Sequence, residues 1–335
     1  MLFSSNHFHD CMNVLLAVAL IIVPATNQAQ ESSKPEDHAA ILKTGQIDTA
    51  GIFVHVALIQ AELELIRFEM GKPKIKKAEI AVKDAAPREL FFQALTLFRK
   101  ANRLSFEQLR QRVTVPVIPE KKIEPSQVHA VVDTALQRIY LVKKKLGIIE
   151  QAKVTPQNAA KTSSDVFVAI IQANRQINLL LDQQFTPSDV FQQVTLAVGY
   201  TSRLLGQFLN APRTPPQSPE FERGKRPPDV YRRLIGCYEL ARQIAVTSGL
   251  EMLTLKSSES QIETVIPSDV YDIASLVVSG LAYLYAQMEE AQPPYEVYNP
   301  GRKFPSHVYQ RAGILEKQLI DLKKRVNKNP NWLKK

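Results

Sequence analysis

Apolar and small side chains recur along most of this chain at alternating spacings of three and four. Taking Ile52 as a register residue, they fall at positions +4, +7, +11 and +14 beyond it, and the series restarts at Leu90, Val128, Val166, Val190, Val230, Val270 and Val308. That is the a/d spacing of helices that bury one stripe against their neighbours. Position +7 holds Ile59, Leu97, Ala135, Ala173, Ala197, Cys237, Val277 and Leu315, and +14 holds Ile66, Leu104, Val142, Leu180, Leu204, Ile244, Leu284 and Leu322. The steps between register residues are 38, 38, 38, 24, 40, 40 and 38. The pattern therefore predicts an all-α, eight-fold helical repeat.

Each register residue sits in a recurring phrase, most fully Pro187-Ser188-Asp189-Val190-Phe191 and Pro267-Ser268-Asp269-Val270-Tyr271. The phrase reads as a helix start. Proline at the first helical position sacrifices no hydrogen bond, and the acid two residues later faces the positive end of the dipole. The intervening serine is a candidate cap. No proline interrupts the predicted spans, as one would break them.

Long Pro-rich connections separate most helices, for example residues 71–86, 111–124, 210–226 and 292–304. About sixteen extended residues reach ~50 Å, more than the ~33 Å of a 22-residue helix, so each connection can return along its helix and start the next in the same direction. The 24-residue step leaves only a tight turn near Phe185 and Thr186, which predicts a reversal and an antiparallel hairpin of the fourth and fifth helices. The expected organisation is a signal peptide over 1–29, a linker over 30–48, two four-helix halves over 49–185 and 186–327, and a tail over 328–335. Two four-helix bundles with extended crossovers fit this best. An α-solenoid is the competing architecture, but only Lys74 to Lys83 and Glu251 to Thr264 could supply the second helix of a hairpin unit. The period also matches neither the 34-residue tetratricopeptide nor the 33-residue ankyrin repeat.

Composition changes the picture at the N-terminus. The apolar run Val14 to Val23, followed by Pro24 and small residues, suits a secretory signal and is shorter than the ~20 residues that span a bilayer. Cleavage is expected after Ala25 or Ala29, although no Lys or Arg precedes the run, which leaves Met12 as an alternative start and an uncleaved anchor as an alternative fate. The later apolar runs read as too short or too charged to span a membrane. Loss of the leader removes Cys11 and leaves Cys237 alone, so neither a disulfide within the chain nor a cysteine metal cluster is expected.

The chain has 42 Lys and Arg against 33 Asp and Glu; without the first thirty residues, which contain Asp10 and no Lys or Arg, the balance is 42 to 32. The basic residues gather toward several helix ends: Arg67 with Lys72 and Lys74, Arg103 with Arg110 and Arg112, Lys143-Lys144-Lys145, and Lys323-Lys324-Arg325. They complement helix dipoles there, or they form an anion-binding face for an acidic envelope polymer, lipid headgroup or protein. If the helices of a half are parallel, the basic ends of the first three meet at one end and Lys323 to Arg325 lie at the other. Nucleic acid is disfavoured by export and by the lack of interleaved aromatics.

Position +1 is Phe or Tyr except at His129, a residue expected to pack against the incoming connection. His55, His129 and His307 depart from the repeat, but their spacing along the chain forms no metal-ligand motif, and no nucleophile elbow, phosphate loop or dinucleotide fingerprint is present. No cofactor, catalytic residue or metal ligand is therefore assigned. The sequence reads as an exported, periplasmic or extracellular, non-enzymatic helical-repeat binding or scaffold protein for an acidic partner. The alternative is a small-ligand site, sensory or catalytic, in the core of one bundle, for which Thr201 and the histidines are the polar candidates.

Overall fold

The structure is a computed structural model that describes residues 48–74, 81–119, 122–153, 160–181, 185–212, 214–288 and 301–333. The expected signal peptide, and all of the linker but its last residue, lie outside that set. The described residues hold eight repeat helices: α1 (Thr49–Glu69), α2 (Pro87–Leu109), α3 (Pro125–Lys145), α4 (Ser163–Leu180), α5 (Pro187–Leu205), α6 (Pro227–Thr247), α8 (Pro267–Ala286) and α9 (Pro305–Lys328). Each begins three residues before its register residue. Two short strands, β1 (Ala81–Lys83) and β2 (Thr254–Lys256), and the one-turn helix α7 (Glu259–Glu263) lie in the connections.

The start phrase works by capping from its third residue, made reciprocal by the threonine hydroxyl at Thr162 and Thr186. Proline or serine takes the first helical position, and the side chain of the third accepts the backbone N–H of the residue before the helix. Glu89, Gln127, Asp165, Asp189, Asp229, Asp269 and His307 all do so, at 2.7–3.2 Å. The cap is thus the residue ahead of the phrase, such as Thr162 or Thr186, and not the serine within it. That serine binds neighbours instead: Ser164 Oγ accepts Ala85 N–H, and Ser306 Oγ accepts Lys225 N–H.

All residues at +7 and +14 are buried, none more than 1% exposed. In the first half α1 and α2 each pack on α3 and α4; in the second half α5 and α6 each pack on α8 and α9. Consecutive helices α1 and α2 are therefore diagonal partners, as are α5 and α6, and a solenoid that stacks each repeat on the next does not describe this packing. Within each half the helices are parallel. Residues at register positions within five of each other meet across α1–α3, α1–α4 and α2–α4: His55 with His129, Lys143 with Glu62, Gln60 with Ala169, and Asn174 with Gln93. In the second half the four helix starts converge, Pro187, Pro227, Pro267 and Pro305 lining one apolar dimple with Val190, Val230, Val270 and Val308.

The two halves run opposite to each other. At the start of α2 the Arg88 guanidinium lies 3.4 Å from the ring centre of Tyr283 near the end of α8, and twelve residues on Lys100 pairs with Asp272 near the start of α8. The crossovers reinforce this contact, since β1 and β2 pair antiparallel with Val82 opposite Leu255. Three expectations need correction. Helices α4 and α5 reverse direction but do not pack along one another, because the halves meet through α2 and α8. Of the stretches that could have held extra helices, residues 75–80 lie outside the described set; the described residues are strand at 81–83 and 254–256 and helical in α7. Helix α1 is also long and apolar enough to cross a membrane by length and composition, contrary to the sequence expectation, yet its stripe Ile52, Val56, Ile59, Leu63 and Ile66 is buried in the bundle.

Candidate functional site

Parallel packing places the C-terminal ends of α1, α2 and α3 together, so the basic residues there share one end of the first half. They are not equivalent. Lys143 is 4% exposed and its ammonium reaches Glu62 of α1 at 2.5 Å, a buried pair that also draws the Ala152 N–H onto Glu62. Its position removes Lys143 from any surface cluster. Arg103 pairs with Glu107 and lies 5.0 Å from the Phe185 ring centre, at the junction of the halves. Lys144, Lys145, Arg110 and Arg112 are exposed, and Arg110 and Arg112 both lie over the Phe106 ring. Arg110 adopts φ 60° as it ends α2.

The basic end of α9 lies at the opposite end. Lys323 donates to Gln243 Oε1 at 2.6 Å and Arg325 pairs with Asp321 at 3.0 Å, while Lys324 is exposed. Of the eight candidate anion-binding residues, Arg110, Lys144, Lys145 and Lys324 are thus the exposed ones. The first three belong to one end.

A second polar group lies where the halves meet, and sequence reasoning missed it. Lys100, with no exposure, donates to Asp272 Oδ1 at 2.6 Å. Burial drives the Asp272 carboxyl above the usual carboxylate range, partly opposed by the Lys100 charge. Beside them Gln93, Arg175, Tyr231, Asp269 and Asp272 join Phe167 and Ile273 around a small, solvent-open cleft. Gln93 Oε1 is buried with no hydrogen-bond partner. Burial also raises the Tyr231 hydroxyl. The signal available in the sequence was Asp272, a charge beyond the first turn of the otherwise apolar α8.

The remaining polar candidates have local tasks. Thr201 is buried and donates to Ala197 O one turn back, and His307 Nδ1 accepts the Phe304 N–H as a cap. Three of the +1 aromatics pack under the connection that enters a neighbouring helix, and not under their own as expected: Lys161, ahead of α4, lies over Phe53 of α1, Lys303, ahead of α9, over Phe191 of α5, and Lys225, ahead of α6, over Tyr309 of α9. Among the described residues there is no cluster of three or more His, Cys, Asp or Glu placed to hold a metal. Comparison with protein-family models, curated proteins and solved structures finds no match to this chain.

Proposed function

We propose that this protein is an exported, non-enzymatic binding module of the cell envelope that docks an acidic partner on the basic end of its first half. One observation carries the reading: the parallel order of α2 and α3 brings Arg110, Arg112, Lys144 and Lys145 to one end, all exposed. Four such cations raise the local potential several-fold over isolated ones and steer an anionic partner, an attraction that salt screens within about 10 Å. Export is supported by the apolar run over residues 14–23 and the small residues after it. The partner classes this surface suits are an acidic polymer or an acidic protein face.

Retention on an anionic matrix tests it. The parent chain should bind at low salt and elute as salt rises, and Lys144→Glu with Lys145→Glu should abolish retention without altering far-UV circular dichroism. Lys324→Glu, at the opposite end, should leave retention near the parent value. Equal retention of all three proteins would refute the reading.

A second reading, a small-ligand site, is favoured by the polar cleft between the halves; Thr201, the polar seam candidate of the second half, is satisfied by its own helix. The buried, unpartnered Gln93 Oε1 would accept a donor from such a ligand. A metabolite screen by melting temperature separates this reading from the first, since docking on the basic end requires no such ligand.

A further inference from the structure

Two departures from the repeat meet in space. Seven of the eight +1 residues are Phe or Tyr and the eighth is His129; at +3 of the first repeat stands His55, where the corresponding position of the fifth holds Gln193. Although 74 residues apart, the two imidazoles touch edge to face across α1 and α3 with ring centres 4.4 Å apart. His129 is 8% exposed and its Nε2 is buried without a hydrogen-bond partner, whereas His55 is half-buried and opens the pair toward solvent. A phenyl ring would fill the same space, as in the other copies, without burying an unsatisfied nitrogen. Packing alone therefore gives no reason for histidine here.

We propose that His55 and His129 form an open binding site for a divalent first-row transition metal ion, with His129 Nε2 as one ligand atom and an imidazole nitrogen of His55 as the second. Imidazole is the side chain that suits zinc, copper and nickel, and it ligates only when neutral. Burial, and secondarily the neighbouring His55, lower the pKa of His129 and so hold it in the ligand form; Asp133, one turn on along α3, opposes this and supplies a nearby negative charge. With two protein ligands, solvent completes the coordination, as in sites that keep open positions. The site lies apart from Arg110, Lys144 and Lys145 and is independent of the docking reading.

The test is titration of the tag-free full chain with zinc and, separately, copper(II) ions by calorimetry at pH 7.5, with melting temperature in parallel. One ion per chain should bind and raise the melting temperature. His129→Phe, which restores the side chain of the other copies and should fold, and His55→Gln should each weaken binding at least tenfold. Lowering the pH to 5 should abolish it. No heat and no melting shift with either ion would overturn the proposal, as would undiminished affinity in either variant. If His129→Phe fails to fold, His55→Gln alone decides the matter by the same criterion.

Discussion

Replacing Lys100 with Met tests how the two halves are held. The ammonium has no exposure and sits 2.6 Å from Asp272 Oδ1, whose side chain is 10% exposed, so neither charge has water to fall back on. Removing one partner of such a pair strands the other, a loss of about 3–5 kcal/mol. Removing both, as Lys100→Met with Asp272→Leu, should recover most of that loss, since apolar replacement of a buried pair is close to neutral. Acidity supplies a second handle. A carboxyl whose folded pKa is raised binds its proton more tightly in the native state, so stability falls as pH rises from its ordinary 3.8 through the raised value. Without Lys100 that value climbs further, and the single variant should regain stability between pH 7.5 and pH 5 more than the parent does. Urea unfolding at the two pH values, with slopes checked for equality, measures all of this. A Lys100→Met loss below about 0.5 kcal/mol, or a double variant as unstable as the sum of the singles, would refute the reasoning.

Other substitutions probe the repeat. Leu204→Ala truncates a seam residue with no exposure and should lower unfolding free energy by about 2–5 kcal/mol, while Lys144→Ala should leave it unchanged within error. Gly236→Ala in α6, where an added methyl meets open space, should gain up to ~1 kcal/mol from helix propensity. The same change at Gly313 of α9 should destabilise, because the methyl would come 2.7 Å from Pro219 Cγ and 3.1 Å from Arg233. The Cys237 thiol is buried and its pKa is pushed far up by burial, so a thiol reagent should leave it unmodified in native protein and modify it in urea.

Much of the architecture was written locally. Helix-start residues recur at fixed offsets because seven of the eight repeat helices turn the side chain of their third residue back onto the N–H ahead of the helix, and +7 and +14 are apolar because every repeat helix turns the same stripe inward. Connection length permitted a shared direction within each half without deciding it. The order of helices around each bundle was not legible, and it decides the fate of the charges. Lys143, Lys144 and Lys145 are alike in sequence; only the placement of α1 beside α3 brings Glu62 opposite the first of them. Lys100 and Asp272 likewise find each other because α2 and α8 form the junction, a contact between residues 172 apart. The strand pair arose in crossovers whose partner lay in the other half, which no local pattern specifies.

The central claim is that each half is a bundle of parallel helices, since the gathering of the basic ends depends on it. Spin labels at Val246→Cys and Lys324→Cys, both sixteen residues past their register residues on the packed helices α6 and α9 and both exposed, read it most directly. Cys237→Ala supplies the residue found at +7 in other copies and, with Cys11 replaced, removes competing thiols. In a parallel bundle both labels stand at the same end, and their separation should lie near or below ~20 Å, given interaxial distances of 8–10 Å and the label arms. In an antiparallel arrangement the two positions fall at opposite ends of helices about 30 Å long, and a distance of ~30 Å or more would contradict the account.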